Sequence, residues 1–354
     1  MLKLFNKQLH HAPDYETEKH WGGLIAFPFN VIVNYPMGTP AGIALFTHPK
    51  VNAMLKKMFD VWAVFLTGKK SREVLNKNTG WLCKDALPTF QVPPYNDPDE
   101  KDSKKLIDLD KAFICNPSDD YYGFRSWDDF FVKEFAPGIR PVEDPNNDNV
   151  IVSACESDVY RIFNKVQQMD KFWIKGQPYS LYHMLGGDPD YGKSFDGGIV
   201  YQAFLNATTY HRWHAPVSGT VEKIVFLPGT YYDTCPGLDV PDPAASDQSQ
   251  GYITQVATRV LVFIKADNQK IGLMCFIAVG MSEVSTCQIT VQDNDHVTKG
   301  EEIGMFHFGG STHCLVFRKE APLKFAFNGG KLPYEPTPGK QPHACVSRKI
   351  AEVL

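Results

Sequence analysis

Between positions 51 and 66 apolar side chains recur at intervals of three and four: Val51, Met54, Leu55, Met58, Phe59, Trp62, Phe65 and Leu66. That spacing predicts an amphipathic helix with one wide apolar face. Thr47-His48-Pro49 supplies a start signal and Gly68 a stop. The polar face carries only Lys56, Lys57 and Asp60, so the stripe reads as core rather than as a cationic membrane surface. The first forty residues have no period and predict irregular structure wrapped over the body. Residues 84–120 hold Pro88, Pro93, Pro94, Pro98 and a charged run, which places a domain boundary there. Beyond it, Ser126-Trp127-Asp128-Asp129-Phe130-Phe131 predicts a capped helix that ends near Pro137-Gly138.

From Asn149 onward the pattern changes to short β runs separated by turn residues: 150–152, 198–204, 220–226, 258–264 and 271–279. Glycines between them suit strands that fold tightly back on themselves. The fold class is therefore α+β, with a helical N-terminal extension over 1–120 and a β-rich, antiparallel, sandwich-like catalytic core over 121–354. Net charge is −4 and no basic block stands out, which excludes nucleic acid as a partner. No apolar run is long enough to span a bilayer, so no integral membrane segment is expected. Eight scattered cysteines, with no CxxC pair, predict reduced thiols in a cytoplasmic protein.

Three segments carry candidate chemistry. Phe308-Gly309-Gly310-Ser311-Thr312-His313 presents a serine after two glycines, where the backbone is open to attack. Read alone, it is equally a turn at a strand end with a capping serine. Thr209-Tyr210-His211-Arg212-Trp213-His214 brings two histidines three apart, suited to acid–base work near neutral pH or to packing. No further metal ligands join them, so no metal is expected. Ser153-Ala154-Cys155-Glu156-Ser157 ends a β run with a carboxylate able to orient a histidine or to sit solvated on a loop. Lys175-Gly176-Gln177 is a weaker signal. Neither a nucleotide-binding glycine motif nor a lysine marked out for pyridoxal phosphate (PLP) is present.

Taken in order, five stretches over roughly residues 121–320 resemble the phosphatidylserine decarboxylase family. They are Phe130-Phe131 through Gly138-Ile139-Arg140-Pro141-Val142, Val152-Ser153-Ala154-Cys155-Glu156, Lys175-Gly176 with Tyr179-Ser180-Leu181, Tyr210-His211-Arg212-Trp213-His214-Ala215-Pro216-Val217, and Phe306-His307-Phe308-Gly309-Gly310-Ser311-Thr312. Glu156 stands where the family has aspartate. The resemblance implies autocatalytic cutting between Gly310 and Ser311. Ser311 then becomes a pyruvoyl cofactor, and fragments 1–310 and 311–354 stay together. It gives His214 the role of base, Glu156 that of orienting His214, and His211 that of returning a proton during decarboxylation. The resemblance extends most closely to soluble members acting on free aromatic amino acids, which makes tryptophan the first expected substrate and phosphatidylserine the rival. Trp213, Phe306 and Phe308 lie beside these residues and are candidates to stack on a substrate ring, or ordinary core. A Ser–His–Glu hydrolase and a non-catalytic β-rich binding module are the readings from other classes.

Overall fold

A computed structural model describes residues 2–15, 28–169, 179–233, 249–283, 286–308, 311–327, 334 and 340–354. Lys175, Gly176, Gln177, Gly309 and Gly310 therefore lie outside the described residues. The fold is α+β with a β-rich, antiparallel core. Its largest sheet has eight strands in the order His343–Ala344, Ser157–Val166, Gly198–Leu205, Ser311–Phe317, Leu273–Gly280, Arg259–Ala266, Gly219–Leu227 and His296–Val297. All seven pairings are antiparallel. The strand Ser311–Phe317 is buried along its whole length and runs through the middle of the sheet. Its polar first half, Ser311-Thr312-His313, is buried along with the apolar Leu315-Val316-Phe317.

A smaller sheet, ordered Arg212–His214, Glu302–His307 and Thr286–Ile289, brings the histidine segment to the chain just before Ser311. Its register sets His214 opposite Glu302 and Arg212 opposite Met305. Phe306 N then donates to His211 O at 2.9 Å. A third sheet, ordered Val150–Val152, Lys349–Val353 and Leu323–Phe325, closes the C-terminal end.

Two apolar clusters fill the interior. One lies within the strands, centred on residues such as Val262, Phe276 and Leu315. The other gathers the N-terminal helices around Phe29, Phe59 and Trp62, and takes in Tyr210, Tyr231, Tyr232 and Phe308 from the β region. Helix Pro49–Leu66 forms as its periodicity predicts, with His48 as N-cap and Pro49 at its first position. Two sequence expectations are corrected. The helix after Ser126 spans only Trp127–Phe131, because the chain then turns to bury Lys133 and to pair Phe135 with Phe113. The first forty residues also hold helices Leu2–Gln8 and Pro28–Met37 rather than purely irregular chain.

The second of these helices is tied at its start to a distant part of the chain. Its N-terminal amides are satisfied by Glu283, whose Oε1 accepts from Phe29 N at 2.9 Å and from Asn30 N at 3.3 Å. Tyr232 Oη donates to the other carboxylate oxygen at 3.0 Å. A charge at that end is favoured by the helix dipole, yet burial dominates and pushes the Glu283 carboxyl up to about 7. The folded chain thus holds this proton to higher pH than the unfolded chain does. The contribution of Glu283 is full below its ordinary value of 4.5 and is lost as pH rises towards 7. Urea midpoints measured from pH 5 to 7.5 should therefore fall less steeply for Glu283→Gln than for the wild type. The difference should reach at most about 3 kcal/mol, and identical slopes would show that the carboxyl is not held in this way.

Candidate active site

Ser311 heads its strand with Leu205 opposite on one side and Gly280 on the other. Its side chain is completely buried, and its Oγ has no hydrogen-bond partner among the described residues. Leaving a buried hydroxyl unpaired costs about 1–3 kcal/mol, so such a serine calls for a functional account. The neighbouring Thr312 shows the ordinary solution. Its Oγ1 donates to Ala203 O at 3.0 Å and accepts from Gln202 Nε2 at 3.0 Å. Upstream of the two glycines, Phe308 sits at φ 78°, a region that phenylalanine rarely adopts. Its ring is held in the N-terminal cluster, 6.3 Å from that of Trp62. The backbone enters the Gly-Gly-Ser segment from a strained residue pinned by packing.

His214 is partly buried, with both ring nitrogens engaged. Nδ1 lies 2.8 Å from Gly300 O, and Nε2 lies 2.8 Å from Tyr210 Oη. A carbonyl can only accept, so Nδ1 carries the proton and Nε2 offers its lone pair to the tyrosine hydroxyl. Burial lowers the pKa of His214 and keeps the imidazole neutral. His211 is fully buried against Phe131, with ring centroids 4.0 Å apart. Neither of its nitrogens has a partner in hydrogen-bond geometry. Burial, with Lys133 and His307 nearby, holds it well below the ordinary range, although the Thr209 backbone offsets a part.

The structure does not bring Glu156 to His214. Arg140 grips the carboxylate with two bonds, Nε to Oε2 at 2.9 Å and Nη2 to Oε1 at 2.6 Å. His343 Nε2 lies 2.9 Å from Oε1, and Val346 N donates to Oε2 at 2.9 Å. His343 in turn reaches Asp158 through Nδ1 at 2.7 Å. Burial works against the Glu156 charge, but Arg140 and His343 outweigh it and hold the carboxyl far below its usual range. The same carboxylates push His343 up to about 9 against its own burial. Glu156, His343 and Cys345 do bring three donor atoms within 4.8 Å. Arg140 already engages both carboxylate oxygens, however, so the set is an ion-pair network rather than a cation site.

Trp213 and Phe306 pack on each other at 4.6 Å, and Trp213 also packs on Phe276, all fully buried in the β core. Phe308 is taken up by the N-terminal cluster. The three aromatics are thus placed as packing, and none lines the large cavity of the molecule. Sequence reasoning missed several residues of the site. Arg140 was visible only as part of a motif, and His343 had no local signal. Tyr210 was read as a neighbour rather than as the partner of His214. Buried Lys133 donates to the carbonyls of Thr208 and Thr209, just ahead of the histidines, and sits over the rings of Phe90, Phe113 and Phe130.

Ser311 and His211 are thus both buried without a hydrogen-bond partner among the described residues. Comparison with known proteins places the chain more closely. Residues 127–333 match the profile described as phosphatidylserine decarboxylase, and residues 1–90 match a second profile of that description. The chain is 42% identical to decarboxylase iboD of Amanita muscaria over 84% of its own length and 85% of the relative's. It is 39% identical to an L-tryptophan decarboxylase of Psilocybe cubensis, covering 90% of this chain and 72% of that one. A phosphatidylserine decarboxylase proenzyme 2 of rice, Oryza sativa subsp. japonica, is 32% identical over 62% of this chain and 34% of its own. The chain belongs to the phosphatidylserine decarboxylase family and is a carboxy-lyase, which sets aside the hydrolase and binding-module readings. Among the described residues no helix is long and apolar enough to cross a membrane.

The network around Glu156 has a measurable signature. Arg140→Met leaves a buried carboxylate without its main partner and should cost about 3–5 kcal/mol of stability. The support given by protonated His343 is full below its ordinary value of 6.5 and is lost as pH rises through about 9. Thermal unfolding followed from pH 6 to 10 should show this alkaline loss in the wild type and a flatter profile in His343→Gln. Equal profiles would remove the histidine from the network.

Proposed function

We propose that this decarboxylase acts on a free aromatic amino acid, L-tryptophan first, through a pyruvoyl group that it makes from Ser311. The observation that carries the reading is the buried, partnerless Ser311 hydroxyl at the head of a central strand. Relatives named as L-tryptophan decarboxylase, and others named as proenzymes, support it.

Self-processing begins when Ser311 Oγ attacks the carbonyl carbon of Gly310. Serine is a poor nucleophile until a base takes its proton. His214 is assigned that role. Its Nδ1 proton is committed to Gly300 O, which leaves the Nε2 lone pair to accept, directly or through the Tyr210 hydroxyl. The C–N bond breaks, the nitrogen of residue 311 gains a proton, and the two parts are joined by an ester. Loss of the α-proton of residue 311 expels the Gly310 carboxylate and leaves a dehydroalanine. Water then replaces its nitrogen, which departs as ammonia, and the new terminus is a ketone. When formed, this pyruvoyl group supplies a carbonyl for the substrate amine and an electron sink for the pair left by departing CO2. His211 is assigned the return of a proton to the substrate's α-carbon: one ring nitrogen gives its N–H while the other takes a proton from water, so the imidazole ends neutral as it began. Glu156 acts at a distance. Arg140 and Glu156 lie in the 1–310 part, while His343 and Val346 lie in the 311–354 part, so the carboxylate binds the two together.

Intact-mass measurement should find two wild-type fragments, the smaller of 44 residues, and a single full-length chain for Ser311→Ala. His214→Ala should cut at least about tenfold more slowly, in line with the loss of a general base. His211→Ala should cut normally yet lose turnover. An uncut wild-type chain would end the pyruvoyl reading, and normal turnover in His211→Ala would remove that residue from the reaction. A CO2-release assay across tryptophan, phenylalanine, tyrosine and phosphatidylserine vesicles should show release from the free aromatic acids. Release from the lipid alone would overturn the substrate assignment.

A further inference from the structure

A cavity of about 830 Å³ lies between helix Pro49–Leu66 and the strands Gly219–Leu227 and Arg259–Ala266. That is within the roughly 300–1,000 Å³ of small-molecule sites. Its walls are mostly apolar and include Phe59, Tyr231, Tyr252 and Val260, with one buried acid, Asp233, which accepts the Tyr252 hydroxyl at 2.9 Å. Phe59 and Tyr231 pack on each other at 5.1 Å, so the extension and the β core each supply one ring.

The sheet register connects this cavity to the reacting serine. Ser311 is directly opposite Gly280, and Gly280 N donates to Thr258 O at 2.9 Å. Residues opposite one another in antiparallel strands project on the same face. The rung Ser311–Gly280–Thr258 therefore has a side chain at each end and none in the middle, across two strand spacings of roughly 4.8 Å each. Thr258 lines the cavity. A second link runs from Ser282 N to Tyr231 O, at 3.1 Å, on the cavity wall. Gly280 thus places no side chain between Ser311 and Thr258.

We propose that this cavity takes the aromatic ring of the substrate, so that the N-terminal extension forms half of the specificity site. The proposal rests on the aromatic amino-acid reading above and adds where the ring goes. A substrate whose α-carbon is held at residue 311 can extend its side chain over Gly280 and place the ring between Phe59 and Tyr231. Aromatic walls contribute offset and edge contacts beyond simple burial.

The test uses indole, which has the ring but no amine to react, and the full chain in both processed wild-type and uncut Ser311→Ala forms. Equilibrium dialysis should find indole bound to both. Ala53 is exposed on the helix and lines the cavity, so added bulk there fills the space without disturbing the core. Ala53→Trp should weaken indole binding by about tenfold or more and raise KM for tryptophan far more than it lowers kcat, while the fragments still form. Ala53→Leu should give a smaller change in the same direction. Unaltered indole binding in Ala53→Trp would overturn the proposal. So would a cavity that binds decanoate and not indole, since that would be a site for a lipid chain. Failure of self-cutting is read separately from fragment masses and leaves the indole result intact.

Discussion

The strand Ser311–Phe317 is locked in register on both sides, residue for residue, by Gly198–Leu205 and Leu273–Gly280. This double pairing is the constraint on which the rest depends. It fixes the direction of the Ser311 hydroxyl, seals it from water, and sets glycine rather than a bulky residue beside it. Because neighbouring strands carry the pairing, the position of residue 311 does not depend on the peptide bond before it. A cut there changes the chemistry of one residue while the ladder that places it remains.

Around that ladder the molecule tolerates several unfavourable local arrangements. Ser311 and His211 are buried without partners, Lys133 is buried with only carbonyls and rings around it, and Phe308 has a left-handed backbone. Each costs on the order of 1–3 kcal/mol. They are sustained by the two apolar clusters and by the sealed ion pair of Arg140 with Glu156. Phe308 shows the coupling most directly, since its ring belongs to the N-terminal cluster while its backbone leads into the Gly-Gly-Ser segment. The extension therefore packs directly on the residue that leads into the Gly-Gly-Ser segment.

What the sequence disclosed follows from the range of the forces involved. Helix Pro49–Leu66 was legible because its stripe and caps are local, and strands Gly198–Leu205, Arg259–Ala266 and Leu273–Gly280 were legible from their apolar runs, whereas the polar start of Ser311–Phe317 hid that strand. Helix Pro28–Met37 was not, because its cap is Glu283, 253 residues beyond Asn30 in the chain. The helix after Ser126 was drawn too long because the buried fate of Lys133 is a tertiary matter. At the site, Ser311 and both histidines were visible as residues, but their partners were not. Glu156 was placed beside His214 by motif order alone. In the fold it turns to Arg140 and His343, the latter from a segment with no signal of its own.

That displacement alters the logic of the site. A carboxylate on His214 would stabilise an imidazolium and raise its pKa. A carbonyl on Nδ1 and a tyrosine hydroxyl on Nε2 instead favour a neutral ring, ready to accept a proton but poor at keeping it. Such a ring fits the base role proposed above for His214, in which the same proton is soon handed on to the nitrogen of residue 311. The carboxylate, freed from that duty, spans the two parts of the chain through a guanidinium on one side and an imidazolium on the other. One acidic residue thus ties the segment after Ser311 to the segment before it, adding to the strand pairings on both sides of Ser311–Phe317, and makes no bond to His214.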